Sequence, residues 1–104
     1  MSQYDVFDNP IPQARRAFPF VAVLQSELAD TGRDRMVAPL VPRERMAGTI
    51  GRLTPVVKVV SVEHVLLVPR MTAIAATDLR TVIDGLATYR GDIVAALDYL
   101  FLGV

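Results

Sequence analysis

The hydrophobic pattern changes period once along the chain, and that switch limits the fold to short strands followed by one helix. Up to residue 76 the apolar residues come in β-branched runs of strand length, at 4–7, 18–24, 36–41, 55–60, 65–68 and 71–76. The run at 18–24 is almost wholly apolar, so it predicts a strand covered on both faces, with Pro19 near its start or on an edge because proline cannot donate to a ladder. Pro42 closes the run at 36–41, and residues 43–53, thinner in apolar residues and carrying Gly48 and Gly51, predict a loop with short regular pieces. Residues 61–64 predict the turn of a hairpin, though without the Asn-Gly or Gly that favours a tight one. Tyr89, Ile93, Ala96, Leu97, Leu100 and Phe101 then fall on one face of a helix, with Thr88 as N-cap, Asp92 in the first turn and Gly103 where the helix ends. The expected class is mostly β (α+β), with antiparallel strands and one C-terminal helix in a single domain over residues 1–104.

Composition narrows the function classes. A chain of 104 residues buries only about 65% of its unfolded surface, so its core is modest. Apolar residues make up 52% and mean hydropathy is +0.37, an excess that points to a surface that meets a partner. The longest stretch without a charged residue, 17–26, is too short to span a membrane. The start shows no secretory pattern, which places the chain in the cytoplasm as an expectation. With no cysteine and a single histidine, His64, neither a thiolate nucleophile nor a multi-histidine metal site is expected, and no cofactor is implied. Eleven basic residues balance eleven acidic ones, which is not the footprint of a protein that grips phosphates, so no direct nucleic-acid binding is expected.

Three features invite a chemical reading. Asp30-Thr31-Gly32 is the triplet around the catalytic aspartate of aspartic proteases, but it is equally an ordinary turn, and Arg33 and Asp34 follow where a protease places small residues. The turn is the better reading. His64, flanked by Glu63 and Val65, reads as a turn or strand-edge residue without chemistry. Arginines greatly outnumber the one lysine, Lys58, yet Arg33, Asp34 and Arg35 with Arg43, Glu44 and Arg45 carry compensating acids and read as a solvated face. Tyr89, Ile93, Leu97 and Phe101 read as the buried side of the helix. Leu100, Leu102 and Val104 keep the chain apolar where termini normally turn polar, so this end is expected to be a contact surface.

Val23-Leu24-Gln25-Ser26-Glu27-Leu28-Ala29-Asp30-Thr31-Gly32-Arg33, followed by Arg35-Met36-Val37-Ala38-Pro39-Leu40, resembles the signature of the CcdB family of bacterial toxins. Leu53-Thr54-Pro55-Val56-Val57 and the ending from Asp92-Ile93 to Leu100-Phe101-Leu102-Gly103-Val104 resemble two further blocks of that family in the same order. The resemblance implies a homodimer with the SH3-like barrel shared by CcdB and MazF-type toxins. It implies a toxin that is not an enzyme: it binds the A subunit of DNA gyrase, traps the cleaved gyrase–DNA complex, and is neutralised by a cognate antitoxin. By position, the implied gyrase-binding residues are Leu28 and Ala29 in a turn, and Asp98, Phe101, Leu102, Gly103 and Val104 at the helix end. Two of them depart from the family pattern: Leu102 stands where the family has tryptophan, and Asp98 where it has asparagine. The alternatives are a MazF-like endoribonuclease on the same fold and a non-toxic antitoxin-binding homologue.

Overall fold

The computed structural model describes residues 1–29 and 32–104. Seven strands form one antiparallel sheet: β1 (Asp5–Asp8), β2 (Phe20–Val23), β3 (Asp34–Pro42), β4 (Val56–Val59), β5 (Val62–Leu66), β6 (Thr72–Ala75) and β7 (Val82–Gly85). A helix, α1 (Arg90–Leu102), follows them. The strand order is β4-β5-β3-β2-β1-β7, with β6 also paired to β3. The sheet curls into a half-barrel on which the helix packs, the expected mostly-β α+β arrangement.

Strand β3 is the longest, and it joins three partners. It pairs β2 along Phe20–Val23, and on its other side β6 along its first half and β5 along its second. Pro39 lies between Val37, the last residue paired to β6, and Leu40, the first paired to β5. The missing proline donor therefore falls in a gap of the ladder rather than inside it. A register shift between Val6 and Phe7 marks a bulge in the β1–β7 pairing, a device that bends a strand and tightens curl.

The run at 18–24 is covered on both faces, as its composition predicts. Ala22 and Leu24 join the main core with Tyr4, Val6, Ala38, Leu40, Val57, Val59, Leu66, Leu86, Ile93 and Ala96, while Val21 and Val23 face a second cluster with Phe7, Val37, Ile74 and Leu79. A third cluster, Val41, Val65 and Leu67, lies against Phe18, Met46 and Val56. Asn9 is buried and fully used, which explains how a polar residue enters this core. Its amide donates to the Phe18 carbonyl, its side-chain oxygen accepts from the Ile11 N–H, and its backbone oxygen accepts from Arg15.

Several expectations are corrected. The β4–β5 turn is not residues 61–64 but Val60 and Ser61 alone, with φ of 49° and 67°. Two left-handed residues make the mirror-image turn that matches strand twist, a conformation usually reserved for Asn-Gly. For a β-branched valine it costs about 1–3 kcal/mol. His64 consequently lies within β5, paired on both sides, not in a turn or at an edge. It is buried, edge-on to Phe20 at 5.4 Å. Its Nδ1 lies 2.8 Å from the Val62 carbonyl, and because a carbonyl only accepts, Nδ1 carries the proton. Strand β7 was not expected at all; Asp84 and Gly85, poor strand formers, hide it. Thr88 is not the helix N-cap, because a 3-10 turn (Ala87–Tyr89) precedes α1 and places Tyr89 there. Arg43 pairs with Glu63 at 3.4 Å rather than with its neighbour Glu44. Asp30 and Thr31 lie outside the described residues; Gly32 has φ of 70°, as a turn glycine should.

Side chains tie the β4 end of the half-barrel to β7 and to the 3-10 turn that follows it. The Val60 N–H donates to Asp84 at 2.7 Å, and the Lys58 N–H donates to the Tyr89 hydroxyl at 3.1 Å. These two groups occupy donors that an edge strand would otherwise leave open to another chain. Hydrogen bonds from the Val60 and Gly85 N–H groups hold the Asp84 carboxyl below its ordinary value of 3.8. A depressed folded-state pKa adds stability above the unfolded value, and that stability is lost as pH falls through the folded value. Replacing Asp84 with alanine is expected to cost about 1–2 kcal/mol in urea unfolding at pH 7. The gap between wild type and variant should shrink as the pH falls below 3.8.

Candidate functional site

Helix α1 carries apolar residues beyond the side that meets the sheet, with Asp98 among them on its exposed side. Its inner side meets the sheet: Ile93 and Ala96 are fully buried, and Tyr89, Leu97 and Leu100 pack partly against the main core. The expectation that Phe101 is buried with them is wrong. It is 68% exposed: eight residues after Ile93 it falls about 80° round the helix, at the flank of the face that meets the sheet and toward Val94 and Asp98. Leu102 and Val104 are 69% and 74% exposed. Gly103 ends the helix with φ of 72°, and its N–H donates to the Tyr99 carbonyl at 3.1 Å. That left-handed cap turns the chain off the helix axis, so Val104 leaves beside the last turn.

The last turn is also braced from outside. The Arg52 guanidinium lies over the Tyr99 ring at 4.2 Å, bringing the loop after residue 46 against the helix. Leu28 and Ala29 sit on a different element, the turn after β2. There the Ser26 hydroxyl accepts from the Leu28 N–H and the Ser26 carbonyl from the Ala29 N–H. This folds the backbone inward and leaves Leu28 95% exposed. The residues singled out from sequence thus fall into two exposed groups, one on this turn and one on the helix end.

A family model for the CcdB protein matches residues 3–103. The chain belongs to the CcdB family. That family is one of gyrase-poisoning toxins rather than of enzymes, and membership makes this chain a toxin-antitoxin toxin. No curated protein matches the chain. No helix of the described residues is long and apolar enough to cross a membrane.

This CcdB-family helix end offers contact area. Phe101, Leu102 and Val104 offer apolar area, and Asp98 offers one exposed carboxylate. Among the described residues no cluster of three metal-ligating side chains occurs. Burying three such side chains is worth roughly 5–9 kcal/mol gross, and association itself costs about 4–15 kcal/mol. The gross gain thus falls within the range of the association cost.

Sequence reasoning missed a second feature of this family member. A groove of about 380 Å³ runs over the third cluster, with Phe18, Val41, Met46 and Leu67 as an apolar lining and Arg45 and Arg70 at its sides. The Arg70 guanidinium lies 5.6 Å from the Phe18 ring centre, and Arg45 donates to the Arg16 carbonyl. Its lining comes from segments far apart in sequence, so no local motif announces it. For the helix end, a change of Phe101 to serine should leave stability within about 0.5 kcal/mol of wild type. Changing Ile93 to alanine should cost about 2–5 kcal/mol. Urea unfolding of the two variants checks both.

Proposed function

We propose that this chain is a cytoplasmic homodimeric toxin that binds the A subunit of DNA gyrase and traps the cleaved gyrase–DNA complex, with no catalysis of its own. Leu28, Ala29, Asp98, Phe101, Leu102, Gly103 and Val104 form the gyrase-binding surface. The observation that carries this reading is the exposed Phe101-Leu102-Gly103-Val104 tip at the end of a CcdB-family helix. Trapping is a matter of differential affinity: a ligand shifts a population only by binding one state more tightly than the others. An apolar tip with a single carboxylate suits that task, because it gains area only where a cleaved, opened enzyme offers a pocket. Leu102 supplies area without the stacking face of a tryptophan, so its contribution is the ordinary one of a buried leucine, about 1.5–3 kcal/mol. The buried state of His64, with Nδ1 tied to a carbonyl, supports contact over ribonuclease chemistry, which needs an accessible base.

Expression in a gyrase-sensitive bacterium tests the reading. Growth should stop, and denaturation of gyrase–plasmid reactions containing the purified chain should release linear DNA. A Phe101→Ser, Leu102→Ser double variant should lose both effects while folding normally. Growth arrest without linear DNA, accompanied by discrete RNA cleavage, would instead favour the ribonuclease alternative.

The groove between Arg45 and Arg70 supports the second half of the proposal, neutralisation by an antitoxin. Apolar lining with arginines at its sides fits an acidic segment carrying aliphatic or aromatic anchors, because guanidinium groups favour carboxylates and the lining favours apolar side chains. Charge reversal of Arg45 and Arg70 to glutamate is expected to weaken the cognate antitoxin by about tenfold or more, and to flatten the salt dependence of binding. Calorimetric titration at two salt concentrations measures both.

A further inference from the structure

We propose that the half-barrel has a built-in opening at the seam between β4 and β7, closed by Asp84 and hinged on the β5–β3 ladder. Three observations meet there. The turn joining β4 to β5 is held in an unfavourable conformation: Val60 and Ser61 both have left-handed φ, and the Val60 side chain is 59% exposed, so burial does not compensate the strain. The seam itself has no strand ladder. The end of β4 is held there by the Asp84 carboxylate of β7 on the Val60 N–H and by the hydroxyl of Tyr89, in the 3-10 turn before α1, on the Lys58 N–H. Beneath the seam lies the seat of the helix, since Val57 and Val59 of β4 share the main core with Leu86 and Ile93.

These observations set an order of opening. Lifting β4 from β7 and the helix start breaks two bonds to side chains and frees a strained turn. Separating β2 from its neighbours breaks ladders on both sides, to β1 and to β3. The seam therefore opens locally while the centre of the sheet stays paired. Asp84 is the latch, because it ties the strained turn to β7, accepting from both Val60 and Gly85 at 2.7 Å. An open seam removes one side of the helix seat, so the way α1 is presented depends on closure. The inference does not rest on the gyrase reading, and its test involves no gyrase.

Amide hydrogen exchange of the full chain, followed by NMR, tests it. In wild type the Lys58 and Val60 amides should exchange at least about tenfold faster than those of Ala22 and Ala38. Asp84→Ala should raise exchange at the two seam amides by about a further tenfold, and at Ala22 and Ala38 only as far as its cost in global stability requires. A Val60→Asn, Ser61→Gly variant, which installs the residues this turn favours, should slow exchange at Lys58. Seam amides that exchange at the rate of Ala22 in wild type would overturn the proposal. So would an Asp84→Ala variant that leaves the two seam amides at their wild-type rate. Should that variant not fold, the turn variant decides: unchanged exchange at Lys58 would overturn the proposal and slower exchange would support it.

Discussion

The pairing of β3 with three other strands is the constraint from which the remaining architecture follows. A nine-residue strand that holds β2 on one side, and β6 and β5 in succession on the other, cannot stay flat. Its partners diverge around the gap at Pro39, and the sheet curls until its end strands face one another. Curling gives the sheet an inside for α1 and an outside with two further apolar clusters. Both faces of β2 and β3 are thereby occupied, which is why a short chain needs so large an apolar fraction. Only one side of the helix is used by the sheet.

Much of this was legible in the sequence, and the failures have physical causes. β-Branched runs announced β2 to β6 because burial on a pleated surface selects those residues, and the period change announced α1. Gly103 was readable as a helix end because the left-handed conformation there is one that side chains resist. Strand β7 was hidden because Asp84 and Gly85 serve a bridging role that overrides strand propensity. The turn at Val60 and Ser61 was misplaced for a related reason: local chemistry argues against two left-handed residues there, and the bond that holds them comes from Asp84, twenty-four positions along the chain. His64 was placed in the turn as a result, one error carrying the other. Thr88 is a good capping residue in isolation, but the 3-10 turn of residues 87–89 starts the helical path earlier.

The candidate site divides in the same way. A sequence can show that a chain ends in apolar residues, and the resemblance could name positions on the turn and helix. It could not show that Phe101 swings outward while Leu97 and Leu100 stay in, because that depends on how α1 rolls against a curved sheet. Nor could it show the groove beside Phe18, whose walls meet only after β3 and β5 have paired. Features made by one element were readable, whereas those made by several were not.

Ala22 and Ala38 face each other across β2 and β3, and both are wholly enclosed in the main core. Side chains this small in the middle of a two-sided sheet act as spacers that set the distance between layers. In evolutionary terms they are ceilings: drift toward valine or leucine at either site would push apart layers that have no slack to absorb it. A library of random variants should therefore be as depleted at these modest alanines as at the bulkiest residues of the interior.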